Sequence, residues 1–203
     1  MVENLIGPRE EGQTPIDDLS GLLLPIKTQR QLNDAESKNN SKAYAKYILF
    51  AKPTSKFDPF TYQSFCGIHK DMFGEVWSWA GEIRKTMKNM GSPPAEIGSE
   101  IHRFLFDFHQ WEEKGIRPLE VAVKIHHRLV QIHPFENGNG RWARLVTNIY
   151  LRRKRIPLIK WSEDQDFIRK VFKPRYIAAL KAADHGDYEP LSRLHEAWYQ
   201  KDR

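Results

Sequence analysis

The stretch from His133 to Arg144 reads His-Pro-Phe-Glu-Asn-Gly-Asn-Gly-Arg-Trp-Ala-Arg, and the rest of the chain is interpreted outward from it. Its histidine precedes a turn that contains two glycines. Gly138 and Gly140 allow backbone N–H groups to approach a ligand, because no Cβ stands in the way. A helix that begins near Gly138 offers unpaired N–H donors and the positive end of its dipole, which suits a phosphate chain. We therefore predict a phosphate-binding turn with a histidine at its edge.

The two arginines that follow this turn strengthen the prediction. Arg141 and Arg144 are spaced so that they share one face of the helix, and their forked donors match phosphate oxygens. An Asn-Gly turn before a helix is by itself often only a turn, and a single histidine often only packs. The combination of histidine, phenylalanine, two glycines and two arginines in so few residues favours a functional site.

Length and composition indicate an ordinary globular protein. The chain has 203 residues, enough for one well-buried core, and its single cysteine rules out an internal disulfide framework. No apolar signal segment follows Met1 and no apolar run reaches membrane-spanning length, so we expect a cytoplasmic protein with no membrane contact. The net charge of +6 is concentrated partly in residues 152–155. A basic run there complements a helix C-terminus, so a nucleic-acid partner is the less favoured interpretation.

Hydrophobic periodicity predicts an all-α fold. Residues 1–27 contain several prolines and glycines and are interpreted as an N-terminal arm, and residues 28–203 as one helical domain with its core at about 61–155. Residues 83–97 lack helical periodicity and are interpreted as an exposed hairpin or loop. The helices are expected at about 28–50, 61–80, 100–113, 118–132, 138–153, 163–183 and 190–200.

The motif resembles the signature of the Fic family, His-Pro-Phe-x-(Asp/Glu)-Gly-Asn-Gly-Arg-x-x-Arg. It differs at one fixed place, where Asn137 replaces the family's acidic residue. The Gly12-Gln-Thr-Pro-Ile segment, the Gln31-Leu-Asn run and the Met72-Phe-Gly-Glu-Val-Trp-Ser-Trp-Ala-Gly segment resemble the Fic subgroup called mobile mystery protein B. The resemblance extends roughly over residues 12–191. It implies a Fic fold, a helical bundle with a small β-hairpin flap beside the active-site loop.

The resemblance also implies an activity. Fic proteins mostly transfer AMP from ATP to a hydroxyl side chain of a target protein and release pyrophosphate. His133 would be the general base, which suits an imidazole that is largely neutral at pH 7, and Phe135 would anchor the loop. The residues that would bind the phosphates are Gly138, Asn139 and Gly140 as an anion hole, Arg141 at the β/γ end and Arg144 at the γ-phosphate.

Asn137 bears on the metal that the resemblance implies. The family uses a carboxylate at this position to hold Mg²⁺ against the phosphates. An amide oxygen is also an oxygen ligand, but it lacks charge and should bind the ion more weakly. Glu136 is an alternative ligand, although one residue earlier in a tight loop it should point elsewhere. We expect reduced Mg²⁺-dependent activity. His126 and His127 are interpreted as residues of the preceding helix, because no cysteine or carboxylate pattern accompanies them.

Two regulatory or docking features are expected from the resemblance. The flap would align the backbone of the target by strand addition, although its glycines and prolines also suit an idle loop. The flap residues are Lys85, Thr86, Met87, Lys88, Asn89 and Met90. An inhibitory glutamate would pair with Arg144, and Glu36 is the preferred candidate with Glu196 as the alternative, although neither matches the family pattern fully. Inhibition by a partner protein stays open.

Two further functions stay open at this point. One is a transferase of the same fold that uses another nucleotide or another phosphate-bearing donor, because the turn recognises phosphates and not the base. The other is a non-catalytic module that binds phosphate or nucleic acid, which the amide at Asn137 and the positive net charge make conceivable.

Overall fold

The computed structural model describes residues 19–52, 56–161 and 173–198. The helices in these ranges are α1 (Gln29–Tyr44), α2 (Tyr62–Phe73), α3 (Ile97–Glu113), α4 (Pro118–Ile132), α5 (Asn139–Arg153), α6 (Lys173–Asp184) and α7 (Glu189–Ala197). A π-helical turn, Ala45–Leu49, continues α1, and a 3-10 turn, Pro94–Glu96, leads into α3. An isolated β-bridge joins Leu22 to Trp77. The predicted all-α fold is therefore confirmed. None of the described helices is long and apolar enough to cross a membrane.

Most helix starts follow local sequence signals. Thr28 caps α1 in a capping box, since its hydroxyl accepts the Gln31 N–H at 3.2 Å and the Gln31 side chain accepts the Thr28 N–H at 3.2 Å. Helix α4 begins at Pro118, where the missing N–H costs no hydrogen bond. Residues 163–172 of the expected sixth helix lie outside the described residues.

The hydrophobic core fixes the loop at residues 133–138 through the side chain of Phe135. Phe135 is fully buried, and its ring packs edge-on against Trp142 with the centroids 5.0 Å apart. Trp142 in turn packs edge-on against Phe65 of α2 at 5.4 Å. Burial of such rings contributes about 2–3 kcal/mol each, so the core strongly fixes the position of the loop. The expectation that Phe135 anchors the loop agrees with this packing.

Helix α2 ends earlier than its periodicity predicts. We expected it to continue to Ala80, but it ends at Phe73, and the next seven residues form turns. The side chain of Asn39 on α1 accounts for this end, because it donates to the Asp71 carbonyl at 2.8 Å and accepts the Glu75 N–H at 3.0 Å. Trp77 is buried as the periodicity predicts, but it reaches the core from a turn. The prediction was right about burial and wrong about the helix.

The segment before α1 contacts the turns after α2. The Leu23 N–H donates to the Val76 carbonyl at 2.9 Å, and the Gly21 carbonyl accepts the Ser78 N–H at 2.8 Å. Residues 1–18 of the expected N-terminal arm lie outside the described residues. The division of the chain into an arm and a domain stays a prediction.

Of the two interpretations of residues 83–97, an exposed hairpin or a loop, the structure confirms the loop, and the β-hairpin flap that the resemblance implies is wrong for this segment. Its carbonyl groups at Thr86 and Ser92 accept hydrogen bonds from the Arg84 side chain, at 2.7 and 2.5 Å, rather than from a neighbouring strand. Gly91 has a φ of +98°, which breaks an extended backbone. Pro93 then removes a further donor. We name residues 82–93 the clasp loop, because it fastens onto the end of α4.

Candidate active site

The loop 133–138, here called the motif loop, connects α4 to α5, and His133 forms its first corner. His133 is the C-cap of α4, with φ 53° and ψ 59°, and its N–H donates to the Leu129 carbonyl at 3.2 Å. Helices commonly end on a left-handed residue, but this residue is usually glycine. A residue with a Cβ costs about 1–2 kcal/mol in this conformation. The predicted catalytic histidine therefore sits at a strained position that its surroundings must hold.

The surroundings of His133 keep its ring neutral. Burial of the ring is the main cause that lowers its pKa, to about 4, and the nearby positive charges of Arg84 and Lys88 act in the same direction. The carbonyl of Val130 opposes this shift. At pH 7 the imidazole is therefore unprotonated, which is the state that can accept a proton.

The other end of the motif loop requires a glycine at position 138. Gly138 is the N-cap of α5 with a φ of +76°, a conformation that L-residues rarely adopt. A Cβ at this position would also overlap the ring of Phe73. At Gly140, by contrast, a Cβ would meet no protein atom within 4 Å. Steric packing thus explains why residue 138 is a glycine, but it does not explain why residue 140 is one.

The side chain of Asn139 closes the motif loop. Its amide oxygen accepts the Phe135 N–H at 2.8 Å, and its amide nitrogen donates to the Phe135 carbonyl at 2.8 Å. Asn139 is 2% exposed, so its side chain is part of the structure. Any contact it makes with phosphate would come from its backbone N–H.

The first turn of α5 presents N–H donors. In an α-helix the first N–H groups have no intrahelical acceptor, and in α5 the Trp142 N–H is the first to bond back, to the Gly138 carbonyl at 2.9 Å. The N–H groups of Asn139, Gly140 and Arg141 precede it. The Gly138 N–H is already taken by the Asn137 amide oxygen at 2.6 Å. The N–H groups available to an anion are therefore those of residues 139–141, one residue further along the chain than the predicted set 138–140. An anion hole at this helix start stays a prediction.

Asn137 and Glu136 determine what the site offers to a metal. The Asn137 amide oxygen accepts the Gly138 N–H, which leaves it one further lone pair. Glu136 faces away, toward the clasp loop, where it accepts the Thr86 hydroxyl at 2.9 Å and pairs with Lys88 at 2.5 Å. Among the described residues no group of three or more His, Cys, Asp or Glu side chains could hold a metal ion. A Mg²⁺ ion would therefore receive one neutral oxygen from Asn137 and depend on phosphate and water for the rest.

His69 of α2 holds the middle of the motif loop, and sequence reasoning missed it. Its Nδ1 accepts the Gly81 N–H at 3.0 Å, so Nε2 carries the proton that it donates to the Asn137 carbonyl at 3.0 Å. The ring stacks on Phe135 with a centroid separation of 3.7 Å. Burial lowers the His69 pKa to about 3. A signal existed, because a polar residue within a buried apolar stripe must find partners.

Glu36 reaches the motif, but it pairs with a different arginine from the one we expected. Its carboxylate accepts from the Arg141 guanidinium at 2.6 Å and from the Trp77 indole at 2.7 Å, and it is only 5% exposed. The expected pairing with Arg144 is therefore wrong. Trp77 directs Glu36 to the first turn of α5, while Arg144, one turn later, lies over the Trp161 ring at 5.7 Å.

The guanidinium of Arg141 is the part of the motif that is both charged and accessible. It lies 4.7 Å from the centroid of the Phe73 ring, and 36% of the side chain is exposed. A cation held above a ring and against a carboxylate keeps its place and its positive charge. Arg144 is less accessible, and burial lowers the pKa of its guanidinium.

The second inhibitory candidate lies elsewhere. Glu196 is exposed on α7 and makes no ion pair with a motif arginine in the described part of the chain. The buried face of α7 contacts α4 through His195, whose Nε2 lies 2.8 Å from Nδ1 of His126. His127 likewise contacts Asp184, at 2.9 Å. These ring nitrogens serve helix packing.

The six expected flap residues lie beside His133 in the clasp loop. Thr86 and Lys88 face Glu136 of the motif loop. The other four point outward and are Lys85, Met87, Asn89 and Met90. Met87 and Met90 are 68% and 53% exposed. Their role in binding a target stays a prediction.

Comparisons with known proteins agree with this architecture. Residues 59–151 match the model of the Fic/DOC family. No curated protein sequence matches the chain significantly. Among solved structures, a Fic-1 fragment (residues 134–508) from C. elegans is 26% identical with a TM-score of 0.64, covering 88% of this chain and 52% of that one. The chain thus spans about half the length of that relative.

Two bacterial structures share the fold at lower identity. BepC from Bartonella tribocorum, with bound AMPPNP, is 20% identical with a TM-score of 0.67 and covers 96% of both chains. An N-terminal Fic domain from Bartonella quintana, with bound ADP, is 21% identical with a TM-score of 0.64 and covers 87% of this chain and 89% of that one. The segment that matches the family model contains α2, the entire motif loop and nearly all of α5, and these structural relatives are Fic-domain proteins. Residues 59–151 of this chain therefore match the Fic/DOC family, and the chain has the Fic fold.

Proposed function

We propose that this protein transfers AMP from ATP to a hydroxyl side chain of a target protein, with Mg²⁺ as cofactor. The match of residues 59–151 to the Fic/DOC family model supports a transferase that acts on a nucleotide. The observation that carries the proposal is the motif loop itself, which has a neutral histidine at one end and N–H donors beside Arg141 at the other. That arrangement suits an anionic substrate that is bound at the helix start and attacked by a hydroxyl group that the histidine deprotonates.

In the proposed reaction the N–H groups at residues 139–141 bind the α- and β-phosphates, where charge develops. Arg141 binds the β/γ end, and Arg144 follows one turn later at the γ-phosphate. The hydroxyl oxygen of the target attacks the α-phosphorus and forms a new O–P bond. His133 takes the hydroxyl proton, the bond from the α-phosphorus to the bridging oxygen breaks, and pyrophosphate leaves with the electron pair.

The low pKa of His133 fits this sequence. The buried imidazole of His133, beside the positive charges of Arg84 and Lys88, is neutral but weakly basic. The negative charge of a bound triphosphate would raise its pKa, so the base would strengthen once the substrate is present. Mg²⁺, held by the phosphates and weakly by Asn137, would neutralise phosphate charge.

The contact between Glu36 and Arg141 supports a resting state in which the enzyme is inhibited by its own side chain. Its carboxylate occupies the Arg141 guanidinium that the phosphates would use. Since a charge-assisted hydrogen bond contributes about 1.5–3 kcal/mol, ATP must compete for this arginine. We therefore propose that Glu36 inhibits the enzyme. The clasp loop, with its outward-facing side chains beside His133, is the proposed docking site for the target.

A second candidate is transfer from another nucleotide or phosphate-bearing donor. It is favoured by the fact that the contacts of the motif loop and of Arg141 recognise phosphates, and none of them selects a base. A non-catalytic phosphate- or nucleic-acid-binding module is the remaining alternative.

One labelling experiment separates these functions. The Glu36→Ala protein is incubated with Mg²⁺ and α-labelled ATP, GTP, CTP or UTP, alone and with a cell lysate. We expect ATP to label protein. We expect no label when the His133→Ala substitution is combined with Glu36→Ala in the same chain. His102→Ala is the matched control and should label normally. His102 is an exposed histidine on α3 whose ring bonds to the Gly98 carbonyl of its own helix and stacks on Tyr62.

The other outcomes are equally informative. Label from GTP, CTP or UTP instead of ATP would select the second candidate. Labelling that persists in His133→Ala would contradict the assigned base. Salt-dependent binding of nucleic acid without any label would indicate the non-catalytic module.

A further inference from the structure

Arg84 is a buried cation that the proposed reaction does not use. It is 3% exposed, although it lies in the otherwise exposed clasp loop. Its three guanidinium nitrogens donate to three different carbonyl groups, those of His133 at 2.7 Å, Thr86 at 2.7 Å and Ser92 at 2.5 Å. An arginine that donates from every guanidinium nitrogen to a main-chain oxygen fixes backbone geometry.

The clasp loop caps the end of α4 through consecutive carbonyl groups. The Ile132 carbonyl accepts the Ser92 N–H at 3.2 Å, the His133 carbonyl accepts the Arg84 side chain, and the Pro134 carbonyl accepts the Arg84 N–H at 2.9 Å. Helix ends leave their last carbonyls without partners. Here each carbonyl on and around His133 is satisfied by the same loop.

These contacts act on the strained corner of the motif loop. His133 holds a φ of 53° with a Cβ present, and such a conformation persists only where the neighbouring groups are fixed. Gly91 adds a steric contact, since a Cβ there would overlap both the Cβ of His133 and the Arg84 guanidinium. The clasp loop is therefore packed closely against the base of the histidine side chain.

The charges around His133 come from the clasp loop as well. Arg84 and Lys88 both disfavour the imidazolium form. Lys88 forms an ion pair with Glu136, which reduces its effect on His133. The hydrogen bonds of the Arg84 side chain go to carbonyl groups. Burial, the larger cause, lowers the pKa of the Arg84 guanidinium, while the charge of Glu136 also acts on it and raises that pKa.

We infer that Arg84 is a positioning residue that fixes His133 and the target-docking segment relative to each other. One guanidinium binds the carbonyl of the base and the carbonyls of Thr86 and Ser92, which lie at the two ends of the exposed part of the clasp loop. A target bound along residues 86–92 would then present its hydroxyl at a set distance from the ring. The target role rests on the proposed function, but the positioning of His133 does not.

The kinetic test compares Arg84→Gln and Arg84→Lys in the Glu36→Ala background. We expect Arg84→Gln to lower kcat about 100-fold, the effect of a misplaced reacting group, with the KM for ATP little changed. Its pH–rate midpoint should move to higher pH, because a positive charge has been removed. Arg84→Lys keeps the charge and should restore the midpoint but only part of kcat.

Arg128→Gln is the matched control. Arg128 is a partly buried arginine on α4 whose guanidinium bonds to Glu100 at 2.9 Å, and it has no contact with the clasp loop among the described residues. We expect its kcat and pH midpoint to match those of the parent protein. Equal losses in Arg84→Gln and Arg128→Gln would reduce Arg84 to a general stability role and overturn the inference.

A second measurement needs no activity. The titration of His133, followed by NMR on protein with labelled histidine, should move upward from a pKa of about 4 in Arg84→Gln, because one of the charges that lower it is removed while burial of the ring remains. The Ser92 amide should exchange its hydrogen faster. Both responses in a protein that labels nothing would uphold the positioning role while the proposed function fails. If Arg84→Gln does not fold, Arg84→Lys provides the exchange readout, because it keeps the charge but loses the forked contacts to the three carbonyls. An unchanged titration and exchange in folded Arg84→Gln, or an unchanged exchange in Arg84→Lys, would refute the inference.

Discussion

The two ends of the motif loop are held by different kinds of group. At the His133 end the clasp loop supplies a cation, Arg84, and main-chain N–H groups that occupy the carbonyls. At the Gly138 end the supports are neutral side chains, those of His69 and Asn139, and the N–H groups that follow stay available. The contrast shows how one short loop can place a proton acceptor beside an anion-binding helix start. At the His133 end, the contacts that fix the loop leave the imidazole ring for accepting a proton. At the Gly138 end, they leave the following N–H groups for binding an anion.

The largest expected effect on stability comes from adding one methyl group at the Gly138 end of the motif loop. Gly138→Ala would place a residue with a Cβ at φ +76° and against the Phe73 ring, so we expect a loss of about 2–5 kcal/mol in unfolding free energy. Urea denaturation followed by tryptophan fluorescence measures it. Gly140→Ala is the matched control and should be as stable as the parent or slightly more so. If the two variants lost the same stability, the steric account of Gly138 would be wrong.

Acid should weaken both ends, because each contains a histidine that is neutral when folded. The pKa values of His69 and His133 are lowered to about 3 and about 4, against 6.5 in the unfolded chain. Below pH 6.5 the unfolded state binds more protons, so stability falls as pH falls, by at most about 1.4 kcal/mol per pH unit for each histidine. Urea midpoints measured from pH 7.5 to 4.5 test this.

A variant sharpens the acid prediction. His69→Gln keeps one acceptor and one donor in place of the ring nitrogens, so it should fold with lower stability at pH 7 but a shallower dependence on pH. His102→Gln, at an exposed histidine, should leave the slope unchanged. An identical slope in the parent and in His69→Gln would contradict the assignment of His69 as a buried neutral group.

The ion pair between Glu36 and Arg141, near the Gly138 end of the motif loop, should weaken the binding of nucleotide. Removing the carboxylate in Glu36→Ala frees Arg141, and we expect ADP to bind about tenfold more tightly, consistent with the strength of a charge-assisted hydrogen bond. Stability should fall by about 1–3 kcal/mol, since Trp77 and Arg141 lose their buried acceptor. Calorimetry measures both.

Glu75→Ala serves as the control for Glu36→Ala. Glu75 forms an exposed pair with Lys42, so its loss should change neither ADP affinity nor stability appreciably. An ADP affinity that is the same in Glu36→Ala and in the parent would contradict competition between the carboxylate and the phosphates.

The smallest expected effect concerns the metal. Asn137→Asp keeps an oxygen that accepts the Gly138 N–H and adds a negative charge, so the Mg²⁺ concentration that gives half-maximal labelling should fall several-fold. A titration of labelling against Mg²⁺ measures it. Unchanged metal dependence would remove Asn137 from the proposed metal site.

Much of the fold was readable from the sequence because local signals decide it. Thr28 and Gln31 form a capping box, and Pro118 marks the first residue of α4. The spacing of apolar residues identified the buried faces, and the glycines at 138 and 140 indicated the start of α5. These signals lie within one or two helical turns, which is the distance over which propensity and periodicity act.

The errors share a physical cause, which is a polar side chain that bonds to backbone or to another side chain that the hydrophobic pattern does not specify. Asn39 ends α2, Arg84 replaces the ladder of the expected hairpin, and Trp77 directs Glu36 to Arg141. His69 was missed for the same reason. A hydrophobic pattern records which positions are buried, but it does not record the partner that a buried polar group will find.

The indole of Trp77 also makes the resting state observable. Its N–H donates to the Glu36 carboxylate at 2.7 Å, and that carboxylate moves only if Arg141 exchanges partners. The chain has six tryptophans, so a nitrogen–proton correlation spectrum should contain six side-chain indole peaks. The peak of Trp77, assigned by mutation, would shift upfield as the carboxylate leaves. It would act as a built-in reporter of the fraction of molecules whose first motif arginine is free.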